Sequence, residues 1–380
     1  MIRKSGISVG LQIGTQPPLS TLRAFLFGAK AMRLDSVMVI DHFQNVFPTA
    51  IWDRELTWVA AQRRTPHEFF DYQVLLGYLA SRVGSMSLGV GVTEPIRRHP
   101  LIIAQAMMTL SHLTRRAPIL GIGAGERMNI DPYGLDPSDA VTRLEEALQI
   151  IRLCFSQPGP ITFAGKHYQL DRATMDLKPA KGRTPQIWIA GHGPRMLRLT
   201  GRYGDGWYPA AVVSPDDYAD KLATVRAAAA DAGRDPASIT PALHRFVVVG
   251  RTESEARAML DTKVIRLFGL MTPADVWRRA GAVHPFGEEF NPIVDFVPDN
   301  YDRRTADEAI AAVPRAALTE GPLLWGTPQQ ITAKLGRFAD AGLRHVVLAP
   351  VSGLVSKRAA LYGLWATGRI ARSLQSGSAP

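Results

Sequence analysis

Four short stretches of this 380-residue chain combine ionisable side chains with glycines in a way that suits proton transfer beside a bound ligand. Asp41-His42-Phe43-Gln44 sets a carboxylate next to an imidazole, and Gly91-Val92-Thr93-Glu94-Pro95 carries a second carboxylate. Gly121-Ile122-Gly123-Ala124-Gly125-Glu126 ends in a third, and Gly191-His192-Gly193-Pro194 adds another imidazole. Imidazole changes charge near neutral pH, and a glutamate partly removed from water can act as an acid there. Glycines let a ligand approach the backbone. The Gly-His-Gly-Pro run opens a helix with proline in its first turn, where free N–H groups attract an anion. Each stretch also has an ordinary reading. An Asp-His pair can be a turn in which Asp caps the next element, and Gly-His-Gly-Pro can be a plain junction between loop and helix.

Several chemistries are excluded. The GIGAGE run is not G-x-G-x-x-G, and the next clear helix begins near Ser138, so a dinucleotide fingerprint is rejected. No H-E-x-x-H, H-x-H or Cys/His cluster occurs, so no metal site is expected. No G-x-S-x-G nucleophile elbow occurs either.

The elements that must position these residues alternate along the chain. Short β-branched runs predict strands at Ile7–Ile13, Ser36–Ile40, Met86–Val92, Pro118–Gly123, Gln186–Ala190, Asp205–Pro209, Leu243–Val249 and His345–Leu348, with amphipathic helices between them. Predicted helix starts are Ser20 or Thr21, the Thr65-Pro66-His67-Glu68 box, Ser214-Pro215-Asp216-Asp217 and the Thr327-Pro328-Gln329-Gln330 box. Helices are also expected over Pro100–Leu113, Ser138–Phe155 and Pro194–Tyr203, and a hairpin over Ile161–Leu170. Eight strands separated by helices predict a parallel (β/α)8 TIM barrel rather than an open sheet. Residues 1–372 are expected to form this one domain. Residues 250–344 would be a long insertion between the seventh and eighth strands, closing over a substrate, and 373–380 a disordered tail. The four chemical stretches then all fall at the C-terminal ends of strands, where barrels bind ligands. Five ionisable side chains and six glycines converge on that rim.

Composition sets the class. Apolar residues make up 46% and charged residues 21%, which suits a folded globular chain. One cysteine excludes a disulfide framework, and no apolar run nears the roughly 18 residues of a membrane helix. The N-terminus lacks an apolar core before its glycines and prolines, so a cytoplasmic location is expected. The net charge is +10, with 35 arginines to 9 lysines, but the arginines are scattered. Nucleic acid is not an expected partner, and membrane contact is at most peripheral.

At these strand ends the chain resembles the luciferase-like superfamily of barrels, in its branch that uses the deazaflavin coenzyme F420. The resemblance runs through Asp41–Gln44, Leu88–Val92, Leu120–Glu126, Ile189–Pro194 and Gly201–Trp207. Within that branch it is similar to the ketoreductases of phthiodiolone-type lipids, through Gly191–Pro209, Asp231–Pro241 and His284–Phe290. The resemblance implies an F420-dependent oxidoreductase that passes hydride between reduced F420 and a ketone. His42 and Glu126 match the residues beside the reacting centre, and either could be the proton donor. Asp41, Gly91, Val92, Asn129, Gly191, His192 and Gly193 match coenzyme contacts, with a non-proline cis peptide at Gly91-Val92. The partner implied is a small-molecule or lipid ketone, with a homodimer left open. Where the branch's sugar-phosphate enzyme has proline and tryptophan, this chain has Asn45 and Val46, and no lysine stands near Val212-Val213. Both departures favour an apolar substrate. The alternatives are an FMN-dependent monooxygenase of the same superfamily and a catalytically silent F420-binding barrel.

Overall fold

A computed structural model describes residues 6–321 and 323–377. Eleven strands occur among them: β1 (Ser8–Ile13), β2 (Ser36–Val39), β3 (Ser87–Thr93), β4 (Ile119–Ile122), β5 (Ile161–Ala164), β6 (Gln169–Ala173), β7 (Gln186–Ile189), β8 (Gly206–Trp207), β9 (Thr240–Val249), β10 (Leu324–Gly326) and β11 (His345–Pro350). Eight of them close a parallel barrel in the order β9-β11-β1-β2-β3-β4-β7-β8, with β8 returning to β9 through Gly206 and Thr240. The (β/α)8 TIM barrel expected from the alternation is therefore observed. Strands β5 and β6 form the separate antiparallel hairpin.

Alternation along each strand sorts the side chains into two layers. Val9, Leu11, Val37, Val39, Leu88, Val90, Leu120, Ile187, Leu243, Val247, Val346 and Leu348 pack outward into the layer beneath the helices. Met38, Ile119, Trp188, Tyr208, Ala242 and Val347 fill the interior. Interior glycines make room for these large groups: a Cβ on Gly206 would lie 2.5 Å from the Trp188 ring. Ser36 and His345 share a 2.8 Å hydrogen bond in the interior.

Several boundaries differ from expectation, each for a local reason. The first helix starts at Leu19, after Pro18, and neither Ser20 nor Thr21 caps it. The Thr65–Glu68 box does not open a helix. The helix begins at Tyr72 because the Asp71 carboxylate accepts from the N–H groups of Gln73 and Val74. Thr327 does form its capping box with Gln330, and the Ser214 hydroxyl accepts from Asp217 N–H. The segment 250–344 contains a strand that its irregular composition hid: β10 pairs in parallel with the end of β9, Leu324 opposite Val247. The expected tail is corrected as well. The last helix runs through Lys357–Ser376 and ends at Gly377 in the left-handed region (φ 65°). Leu374 is buried there, and the Gln375 amide donates to Asp35 and to the Arg33 carbonyl. These contacts hold residues whose polarity alone suggested disorder. Residues 378–380 lie outside the described residues. Among the described residues no helix is long and apolar enough to cross a membrane.

Candidate active site

The loops after β2, β3 and β4 are held together by a buried ionic network. Asp41 is 4% exposed. Its carboxylate accepts from Thr93 Oγ1 at 2.6 Å and from Arg98 Nη1 at 2.9 Å, and it pairs with Arg97 Nη2 at 3.0 Å. Arg97 also donates to the Asp41 carbonyl at 3.0 Å and pairs with Glu94 at 2.5 Å. Arg98 reaches on to Asp71 at 2.7 Å, which ties the network to the cap of the following helix. Charges this deep persist only when paired and hydrogen-bonded. The Asp41 carboxylate is thus fully used within the protein and acts on the rim through the backbone it anchors. Arg97 and Arg98 were not singled out in the sequence. Their signal was an Arg-Arg pair directly after Thr93-Glu94-Pro95.

Above this network stand His42 and Glu126, 3.4 Å apart between Nε2 and Oε2. Their side chains remain 22% and 42% exposed, so both can meet a ligand. His42 Nδ1 lies 2.9 Å from the Gln44 carbonyl, which can only accept, so Nδ1 carries a hydrogen. Nε2 then faces a carboxylate oxygen, and the contact is favourable only with a proton between them. Asn129 secures the other half of the pair. Its buried Oδ1 accepts from the N–H groups of Phe43 at 2.7 Å and Gln44 at 3.0 Å, which turns Nδ2 toward Glu126 Oε2 at 3.5 Å. One amide therefore joins the His42 loop to the Glu126 loop.

The remaining rim residues lie as the spacing placed them. The Gly91-Val92 peptide is cis, within an irregular pairing between Val90 and Thr93. The Gly91 carbonyl accepts from Gln12 Nε2 at 2.9 Å. A Cβ on Gly91 would lie 3.1 Å from the Tyr208 ring, so the backbone here rests on the barrel interior. Gly193 caps the helix Pro194–Tyr203 with no side-chain cap, and a Cβ there would meet nothing within 4 Å. His192 beside it has a buried Nδ1 without a partner, and desolvation, followed by the cations Lys221 and Arg245, pushes its imidazole down to about 4. An open helix start beside an orphaned ring nitrogen fits an anionic, hydrogen-bonding ligand tail. Among the described residues no group of three or more His, Cys, Asp and Glu is placed to hold a metal ion.

The loop after β2 continues into apolar packing. Val46, Phe47 and Val213 join a cluster made largely by residues 259–323. Val212 does not: it packs into the layer between barrel and helices.

A family model described as luciferase-like monooxygenase matches residues 8–345. The chain belongs to that family. It is an enzyme, an oxidoreductase built on the family's barrel. It is 41% identical, over 336 residues, to a phthiodiolone/phenolphthiodiolone dimycocerosates ketoreductase of Mycobacterium tuberculosis H37Rv, a match covering 87% of this chain and 88% of that protein. In fold it is similar to a coenzyme F420-dependent tetrahydromethanopterin reductase from Methanopyrus kandleri, with a TM-score of 0.73 at 20% identity over 97% of this chain and 98% of the other. An F420-dependent secondary alcohol dehydrogenase, solved with an F420-acetone adduct, superposes with the same TM-score of 0.73 at 20% identity over 96% and 98%. At this identity the last two likenesses are of fold.

Proposed function

We propose that this family member is an F420-dependent ketoreductase acting on a lipid ketone. The observation that carries the proposal is the His42–Glu126 pair, 3.4 Å apart at an accessible rim, with Gln44 and Asn129 fixing its orientation. Reduced F420, when bound, supplies the hydride. The coenzyme would lie against Gly91 and Val92, with its acidic tail toward Gly191, His192 and Gly193, while Asn129, 2% exposed and bonded to Phe43, Gln44 and Glu126, would support the site from beneath instead of touching the coenzyme. Asp41 would hold the His42 loop in register beneath it. The His42–Glu126 pair delivers its proton to the carbonyl oxygen as negative charge develops there, which lowers the barrier by general acid catalysis. Tying Nδ1–H to the Gln44 carbonyl leaves Nε2, the nitrogen beside Glu126, to serve that oxygen.

The substrate class is supported by the 41% identical ketoreductase and by Val46, Phe47 and Val213 beside the rim. A phosphate buried there would lack cationic partners at a penalty of several kcal/mol, whereas an alkyl chain gains about 0.8 kcal/mol per buried methylene. Titration of the protein with F420 and with FMN, followed by fluorescence, should show tighter binding of F420. Steady-state assays on aliphatic methyl ketones should then show kcat/KM rising with chain length, by at most about fourfold per methylene, with no oxidation of glucose 6-phosphate. Tighter FMN binding would move the chain to the monooxygenases. F420 binding without turnover on any ketone or alcohol would mark a silent barrel.

A further inference from the structure

Strand β9 carries an anomaly at the barrel mouth. Its interior-facing residues Ala242 and His244 are buried, yet Phe246, two residues further on the same face, is 37% exposed. A large aromatic ring is thus open to water on the inner face of a barrel strand, where a ligand can reach it. Phe246 does not stand alone. It sits edge-on to His244 at 4.8 Å and packs on Phe268 at 5.0 Å. Phe268 meets Phe47 at 6.1 Å, and Phe47 meets Trp52 at 5.7 Å. Phe47 and Phe268 are themselves buried, so Phe246 is the exposed end of this aromatic row. The row runs from the mouth to the loop that carries His42, five residues before Phe47. The row therefore joins the exposed ring of Phe246 to the loop that carries the proton-transferring pair.

We infer that Phe246 is a specificity-determining residue, the platform on which the alkyl chain of the substrate lies. The inference rests on the lipid-ketone reading above. It adds that chain-length preference is set by this ring, with Phe268 and Phe47 buttressing it from behind.

The test uses full-length protein without coenzyme and two probes, a four-carbon and an eight-carbon secondary alcohol, with affinities from calorimetric titration. The wild type should prefer the longer alcohol. Phe246→Ala should weaken the longer one by about 10-fold and leave the ratio between the two alcohols near unity. Phe246→Leu, which restores apolar bulk, should recover most of the preference. A wild type that prefers the longer alcohol together with a folded Phe246→Ala that keeps the same ratio overturns the role of Phe246 while leaving the lipid-ketone reading intact. A wild type with no preference overturns both. If Phe246→Ala fails to fold, Phe246→Ser and Phe246→Leu decide by the same ratio, since a ring needed only for folding would not alter it.

Discussion

The barrel rim and the segment 250–344 pack together at the loop after β2, and they are held by opposite means. At the rim, Asp41, Glu94 and Arg97 are paired charges with side chains only 3–5% exposed, and Arg98 joins them at 14%. In the segment the interior is a stack of rings: Phe286 on Tyr301 at 4.1 Å, His284 on Phe290 at 4.2 Å, Phe296 on Tyr301 at 5.5 Å. Its ion pairs lie outside, as with Arg279–Asp275 at 54% and 50% exposure. Hydrogen-bonded charges tolerate little change in angle or distance, while apolar packing mainly requires volume. The difference assigns the two halves different tasks. On the proposed function, the rim fixes the His42–Glu126 pair and the apolar segment accommodates the alkyl chain.

That contrast can be broken most directly at His42. On the proposed mechanism, His42→Ala should lower turnover by about 10²–10⁴-fold on any accepted ketone, with the thermal midpoint unchanged, since a rim residue contributes little packing. Unchanged turnover would leave Glu126 as the sole acid. The next effect lies one layer down. Asp41→Asn removes the charge of a carboxylate that Thr93, Arg97 and Arg98 all use, and it leaves Glu94 as the remaining carboxylate for Arg97 and Asp71 for Arg98. Chemical denaturation should show a loss of about 3–5 kcal/mol. In the segment, Phe296→Leu should lose no more than about 1.5 kcal/mol by the same measurement, although Phe296 is only 1% exposed. Equal losses at the two positions would refute the contrast.

The rim was more legible than the segment, for a physical reason. Strand ends announce themselves through β-branched runs followed by glycines, so His42, Glu126 and His192 could be placed on one face from spacing alone. The network beneath could not. Asp41 and Arg98 are 57 residues apart, and nothing in either neighbourhood shows that they meet. In the segment, β10 has three residues and forms only because the end of β9 offers it a partner. The Thr65–Glu68 box misled because Thr65 Oγ1 makes a tight turn with His67 N–H, while the backbone N–H of Phe70 is taken by the Thr15 carbonyl. A local motif lost to tertiary pairing, as it did for the final turn of the last helix.

The smallest expected effect concerns acid and the segment's aromatic stack. His284 is buried between Trp277 at 4.6 Å and Phe290 at 4.2 Å. Its Nδ1 accepts from Phe286 N–H at 3.2 Å, and its Nε2–H donates to the Leu270 carbonyl at 3.3 Å. The first bond requires the neutral ring, because a proton on Nδ1 would oppose one donor to another, whereas the second survives protonation. Desolvation accordingly pushes this imidazole down to about 4, against a smaller upward pull from the Leu270 carbonyl. The unfolded histidine titrates near 6.5, so between that pH and about 4 the unfolded state binds more protons. Stability therefore rises with pH across this window and is lost as pH falls. Over the first pH unit below 6.5 the loss from this group is about 1 kcal/mol. Native-state hydrogen exchange in residues 263–312 should show it, and His284→Phe, which cannot take up a proton, should flatten the dependence. A slope that persists unchanged in His284→Phe would place the acid-sensitive group elsewhere, with the buried imidazoles of His192 and His345, both pushed down to about 4 by desolvation, the first to test.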